Sequence, residues 1–151
     1  MARTSSDPLT GDDLLQAMAL VEDADSVELK LSIADSARWS AVTALDMDPL
    51  DAQMRQVYFF DTPDLVLDKR GVVVRARRVQ GRGDDTVVKL RPVVPHELPA
   101  KLRRLSDFVV EVDAMPGGYV CSASYKGSLE RPTVKAAAAG EHPVRKLFSK
   151  G

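Results

Sequence analysis

The 151-residue chain is short of most of the side chains on which reactive chemistry draws. It has one cysteine, Cys121, and two histidines, His96 and His142. A single cysteine closes no intramolecular disulfide, and these residues cannot build a zinc cluster. His96 and His142 stand in proline-flanked stretches and read as exposed loop residues. Cys121, with no histidine near it in the sequence, reads as sheet packing rather than a nucleophile. Aromatic residues make up only 5% of the chain, thin for stacking nucleic-acid bases. Apolar runs fall far short of a membrane span, and Met1-Ala2-Arg3-Thr4 opens without an apolar signal core, so the expected compartment is the cytoplasm. Neither charge dominates: 21 basic against 22 acidic side chains give a net charge of -1, which argues against a nucleic-acid or membrane partner.

With 44% apolar and 28% charged residues and a mean hydropathy of -0.16, the composition is that of one soluble globular domain. The near-neutral total hides a division. Residues 1 to 64 carry 4 basic and 13 acidic side chains, whereas residues 65 to 104 carry 11 basic and 4 acidic. A local anion site in the middle third is therefore plausible while a whole-surface field is not. Residues 1–25 read as a flexible leader, with Thr10 able to open a short helix, and residues 26–151 as the domain.

Period-2 alternation predicts the strands. Ser26 to Ile33 places Val27, Leu29, Leu31 and Ile33 on one side, as if half-buried. A helix from about Asp35 to Leu45 follows, with Trp39 as a core anchor. Val57 to Phe60 is a short strand, and Asp61-Thr62-Pro63 caps a helical turn that Gly71 ends. Val72 to Val79 and Thr86 to Arg91 form a hairpin, Phe108 to Asp113 and Tyr119 to Tyr125 are further strands, Thr133 to Ala139 is an alanine-rich helix, and Val144 to Ser149 a last strand. This order predicts an α+β fold, predominantly antiparallel β, curled into a sheet or barrel with short helices outside.

The chemistry lies in charged pairs spaced i, i+2, whose members project from one face of a strand. They are Glu28 with Lys30, Arg75 with Arg77, Lys89 with Arg91, and Glu111 with Asp113. A sheet with one wet face needs no ligand. Sign, however, is segregated by strand, whereas a generic solvated face intersperses Lys with Glu. If the charged faces meet, the interior must be wet and must hold an anion, because an unpaired buried charge costs several kcal/mol. A triphosphate suits it: Arg and Lys clamp phosphate oxygens, and carboxylates hold a divalent cation that bridges to the ligand.

Val27-Glu28-Leu29-Lys30, Tyr58 to Leu65, Gly71 to Arg77, Val88-Lys89-Leu90-Arg91 and Val110-Glu111-Val112-Asp113, in that order, resemble the CYTH family of triphosphate tunnel metalloenzymes. The family includes inorganic triphosphatases, thiamine triphosphatases and class IV adenylate cyclases. The resemblance implies an antiparallel tunnel in which Lys30, Arg75, Arg77, Lys89, Arg91 and Lys150 grip a triphosphate. It also implies that Glu28, Glu111 and Asp113 bind Mg²⁺ or Mn²⁺ and serve catalysis. Ser26 departs from the family by standing where the signature's first Glu would be. The chain also stops at Ser149-Lys150-Gly151, inside what the resemblance implies is a mid-tunnel strand, so it reads as an incomplete tunnel whose open sheet edges invite self-association.

The resulting expectation is a metal-dependent hydrolase acting on inorganic tripolyphosphate or an organic triphosphate. The alternatives are a non-catalytic polyphosphate- or nucleotide-binding module, and an adenylate cyclase of the same fold, for which no adenine-reading feature stands out.

Overall fold

The computed structural model describes residues 2–4, 10–129 and 133–148. Seven strands form one sheet: β1 (Ala2–Thr4), β2 (Ser26–Leu29), β3 (Arg55–Phe60), β4 (Val72–Val79), β5 (Asp84–Leu90), β6 (Phe108–Met115) and β7 (Gly118–Leu129). Their order is β2-β6-β7-β5-β4-β3, with β1 also paired to β7. Every pairing is antiparallel except β2 with β6, which is parallel. The helices are short: α1 (Gly11–Glu22), α2 (Arg38–Ala44), α3 (Val66–Lys69), α4 (Ala100–Arg103) and α5 (Thr133–Ala138).

Local chemistry accounts for the central hairpins. β4 and β5 are rich in Val, whose branched Cβ favours extended backbone. Residues 115 and 118 pair directly, so Pro116-Gly117 forms a two-residue loop, and Gly117 supplies the positive φ of 73° that it needs. At the other end, Gly71 (φ 70°) ends α3, as its position in the sequence predicts.

The apolar face of the sheet is buried in two patches. Leu20 of α1 covers Val110, Val112, Tyr119, Cys121 and Ala123, while Val134 and Ala137 of α5 and Leu147 cover Ala76. Cys121 is thus fully buried sheet packing, as expected, and burial pushes its thiol above the ordinary value. α1 lies in the stretch read as a leader, where Thr10 caps it through a reciprocal exchange with Asp13.

Four expectations are corrected. The sheet is α+β and mostly antiparallel, but it does not close into a barrel or tunnel among the described residues: β2 and β3 stand at its two ends without pairing. The first strand ends at Leu29 instead of Ile33, and its apolar side chains are not half-buried: Leu29 and Leu31 are 80% and 78% exposed. Period 2 reports which side chains share a face, but burial requires an element to cover that face, and α1 reaches no further than β6 and β7. Trp39 is no core anchor; it is exposed, with the Arg38 guanidinium 5.3 Å from its ring centre. Val144–Leu147 forms a 3₁₀ turn where a strand was expected, because Leu147 points into the core beside α5 and the segment pairs with no strand. Lys150 lies outside the described residues.

Candidate functional site

The opposite face of the sheet carries the charge. Register decides which side chains meet there. Glu28 stands beside Asp113 across β2 and β6, Glu111 beside Ser122 across β6 and β7, Ser124 beside Lys89 across β7 and β5, and Asp85 beside Arg77 across β5 and β4. Across the sheet, acidic side chains thus occupy β2 and β6, serines and Lys126 occupy β7, Asp85 and Lys89 share β5, and arginines occupy β4. The serines leave the middle low. The result is a concavity of about 640 Å³ lined by Glu28, Lys30, Arg75, Arg77, Asp85, Lys89, Glu111, Ser124 and Lys126, among others.

A chain of ion pairs crosses its acidic side. Lys30 Nζ lies 2.9 Å from Asp113 Oδ1 and 3.5 Å from Glu28 Oε2. Lys89 Nζ lies 3.7 Å from both Asp113 Oδ2 and Glu111 Oε2, and Lys126 Nζ lies 3.3 Å from Glu111 Oε1. Asp113 is only 1% exposed, and its two oxygens are close to ammonium groups without receiving a directed hydrogen bond from them. Such a carboxylate is held by charge more than by geometry. Ser124 Oγ is buried on the same floor with no hydrogen-bond partner.

On the basic side, Arg77 Nε donates to both carboxylate oxygens of Asp85, at 2.8 and 3.0 Å. Arg75, its neighbour on the same face, has no carboxylate within ion-pair distance among the described residues, and its buried Nε donates no hydrogen bond. Burial, then the charge of Arg77, pulls the Arg75 guanidinium below its ordinary value; Asp85 opposes this, and Arg55 adds to it. Arg75 is therefore a cation held at a partly buried position without an ion-paired carboxylate among the described residues.

Of the residues singled out in the sequence, Glu28, Lys30, Arg75, Arg77, Lys89 and Glu111 line one concavity, and Asp113 sits behind it in contact with two of its lysines. Arg91 does not join them. β5 ends at Leu90, and Arg91 turns instead to a shallow cleft beside Phe59, Asp61 and Asp68. Polar lining residues that the sequence did not single out include Asp85, Ser124 and Lys126. On β7 the signal was present, since Ser122, Ser124, Lys126 and Ser128 alternate along it, but the two serines inside the strand as read carry no charge and were passed over. Lys126 was lost by ending that strand at Tyr125, four residues short of Leu129.

Whether these residues suit a divalent cation is decided by donor type and arrangement. Glu28, Glu111 and Asp113 supply the hard oxygen donors that Mg²⁺ and Mn²⁺ take, and the Asp113 oxygens lack directed partners. Among the described residues, however, no three acidic, histidine or cysteine side chains gather around one point. These carboxylates therefore do not form an all-protein metal cage.

No family model, curated protein or solved structure matches this chain. No helix among the described residues is long and apolar enough to cross a membrane.

Proposed function

We propose that the charged face binds a triphosphate-containing small molecule as its Mg²⁺ or Mn²⁺ complex and hydrolyses it, in the manner of the CYTH family that the sequence motifs resemble. The observation that carries this reading is the separation of sign across one floor. Adjacent strands lie about 4.8 Å apart, so acidic β6 and basic β4, three strand spacings away, are about 14 Å apart along the sheet. A bare polyanion would be drawn to β4 and β5 and repelled by β2 and β6. A metal-chelated triphosphate presents both signs and matches both halves.

In this reading Arg75, with no carboxylate to leave, is the first phosphate ligand. Arg77 and Lys89 extend the clamp along β4 and β5, the first as a planar donor and the second as a point charge. Glu28, Glu111 and Asp113 would hold the cation, which supplies charge neutralisation and activation of a water. Lys126 on β7 stands between the halves and Lys30 lies on the acidic side, each able to exchange a carboxylate for a phosphate oxygen. Preorganised charge of this kind serves phosphoryl transfer without a protein nucleophile. The tunnel of that family would require further strands between β2 and β3; those two free edges are where a second copy or additional chain would add.

A second reading is favoured by the lysine engagement of Glu28, Glu111 and Asp113: a module that binds polyphosphate or nucleotide without turnover. One assay separates the two. Phosphate release from tripolyphosphate in the presence of Mg²⁺ or Mn²⁺, abolished in Glu111→Gln, is expected of the hydrolase. Binding of tripolyphosphate without release by either protein identifies the binding module, and absence of binding overturns both.

A further inference from the structure

β3 (Arg55–Phe60) stands at one end of the sheet and pairs only with β4. One hydrogen bond decides which of its backbone groups are left over. Gln80 N–H donates to the Met54 carbonyl at 3.0 Å, and residues 54 and 80 continue the register in which Arg55 faces Val79. In an antiparallel pair, hydrogen-bonded and non-hydrogen-bonded positions alternate. Gln56, Tyr58 and Phe60 therefore bond to β4, while the N–H and C=O groups of Arg55, Val57 and Phe59 point out of the edge. Among the described residues, no backbone hydrogen bond reaches those outward groups.

Sheet edges are ordinarily blunted by charge, proline, a bulge or a covering element. β3 has one charge, Arg55 at its start, and ends in Val57, Tyr58, Phe59 and Phe60. Val57 is 47% and Phe59 69% exposed, and both stand on the charged face, opposite Arg77 and Arg75. β2, at the other end of the sheet, is shorter and carries Glu28 within it and Lys30 directly after it.

We infer that β3 pairs with β3 of a second copy of this chain, antiparallel about a twofold axis at Tyr58. Such an interface is isologous, each side meeting its own copy. The axis sets Val57 opposite the partner's Phe59, and Phe59 opposite the partner's Val57. All of these are outward positions, so each pair exchanges both N–H···O bonds. A β-branched side chain facing an aromatic one is also a favourable cross-strand pair. The same register sets Arg55 against the partner's Asp61, joining opposite charges at both ends of the interface. Moving the axis to Val57 or to Phe59 sets Arg55 against Phe59 or Pro63 instead and loses both charge pairs. The two charged floors then lie on one side of a continuous sheet, with Arg75 and Arg77 of each copy flanking a shared patch of Val57 and Phe59. This pairing does not depend on which ligand the floor takes.

Sedimentation velocity of the full chain, from low to high micromolar concentration, tests it. A strand edge is a small interface, so wild type is expected as a monomer–dimer equilibrium within that range. Val57→Pro removes an N–H that points away from β4 and leaves the ladder to β4 complete. It is expected to weaken the dimer about tenfold or more through the two bonds lost, with the far-UV circular dichroism of wild type. Phe59→Lys leaves the backbone untouched, places charge on the edge and is expected to weaken the dimer likewise. Oxidation with diamide reads the register. Tyr58→Cys, at the axis, brings its Cα to about 4.5 Å from its copy and is expected to give a covalent dimer. Gln56→Cys, about 13 Å from its copy along the strand, is expected to give none, and Cys121 is buried. A chain that stays monomeric throughout, a dimer that neither Val57→Pro nor Phe59→Lys weakens, or Gln56→Cys cross-linking as readily as Tyr58→Cys overturns the inference.

Discussion

Lys30 Nζ lies 2.9 Å from Oδ1 of Asp113, a carboxylate that is 1% exposed, while Lys30 itself is 41% exposed. The buried member depends on the exposed one. Breaking a fully buried pair costs about 3–5 kcal/mol because it strands a charge. Here Lys89 remains and water reaches Lys30, so Lys30→Met is expected to destabilise by about 1–2 kcal/mol. Urea unfolding measures this as a lowered midpoint at unchanged slope. Adding Asp113→Asn should recover part of the loss; a double variant less stable than Lys30→Met would contradict the dependence.

Arg75 has the opposite signature. With no ion-paired carboxylate among the described residues it is burdened by Arg77, and two like charges about 7 Å apart repel by at most about 2 kcal/mol at an effective dielectric near 20. Arg75→Ala is therefore expected to leave the free protein as stable as wild type or up to about 1 kcal/mol more stable, while weakening tripolyphosphate at least tenfold. The wild-type affinity should also fall as salt rises from 50 to 300 mM, as screening of these charges requires. Arg75→Ala that destabilises the protein and spares binding would make Arg75 a packing residue.

The separation of sign was legible in the sequence because alternation along a strand is local. Glu28, Arg75, Arg77, Lys89 and Glu111 needed only period 2 and an unbroken strand to be placed on one face. Arg91 satisfied the same parity but lies past the end of β5, and where a strand stops depends on neighbours far away in the chain. Trp39 and Leu29 failed for a related reason. Their apolar character was clear, but burial is a property of what covers a residue, and α2 and β2 have little packed against them. Asp85 was hidden by starting the strand at Thr86, one residue after it; its role comes from standing opposite Arg77.

Gly71 offers a test of the backbone that aligns β4 with β5. Its φ of 70° disfavours any side chain, and a Cβ would collide with the Arg91 carbonyl oxygen. The Arg91 N–H also donates to the Gly71 carbonyl at 2.8 Å, so the two backbones have no room to separate. Gly81 has a similar φ of 76° but nothing within 4 Å of its Cβ position. Gly81→Ala should cost about 1 kcal/mol, the conformational term alone, and Gly71→Ala at least about 2 kcal/mol more. Equal losses in urea unfolding would show that the close approach of Arg91 is not limiting.

Asp61 holds the turn that leads into β4. Its carboxylate accepts hydrogen bonds from the N–H groups of Thr62, Leu67 and Asp68 at 2.7 to 2.9 Å. Desolvation works to raise its pKa, but the N–H groups of Leu67, Asp68 and Thr62 and the Thr62 hydroxyl outweigh it, so the carboxyl titrates below its ordinary value of 3.8. A carboxyl depressed by folding stabilises the native state at pH values above its unfolded pKa, and that contribution disappears as pH falls through the lower, folded one. Asp61→Asn is accordingly expected to lower the unfolding midpoint by a constant amount between pH 5 and 8. The gap to wild type should then narrow as pH drops below about 4. Urea unfolding of both proteins across that range measures it, and a gap that widens on acidification would mean that the turn is not held by the ionised carboxylate.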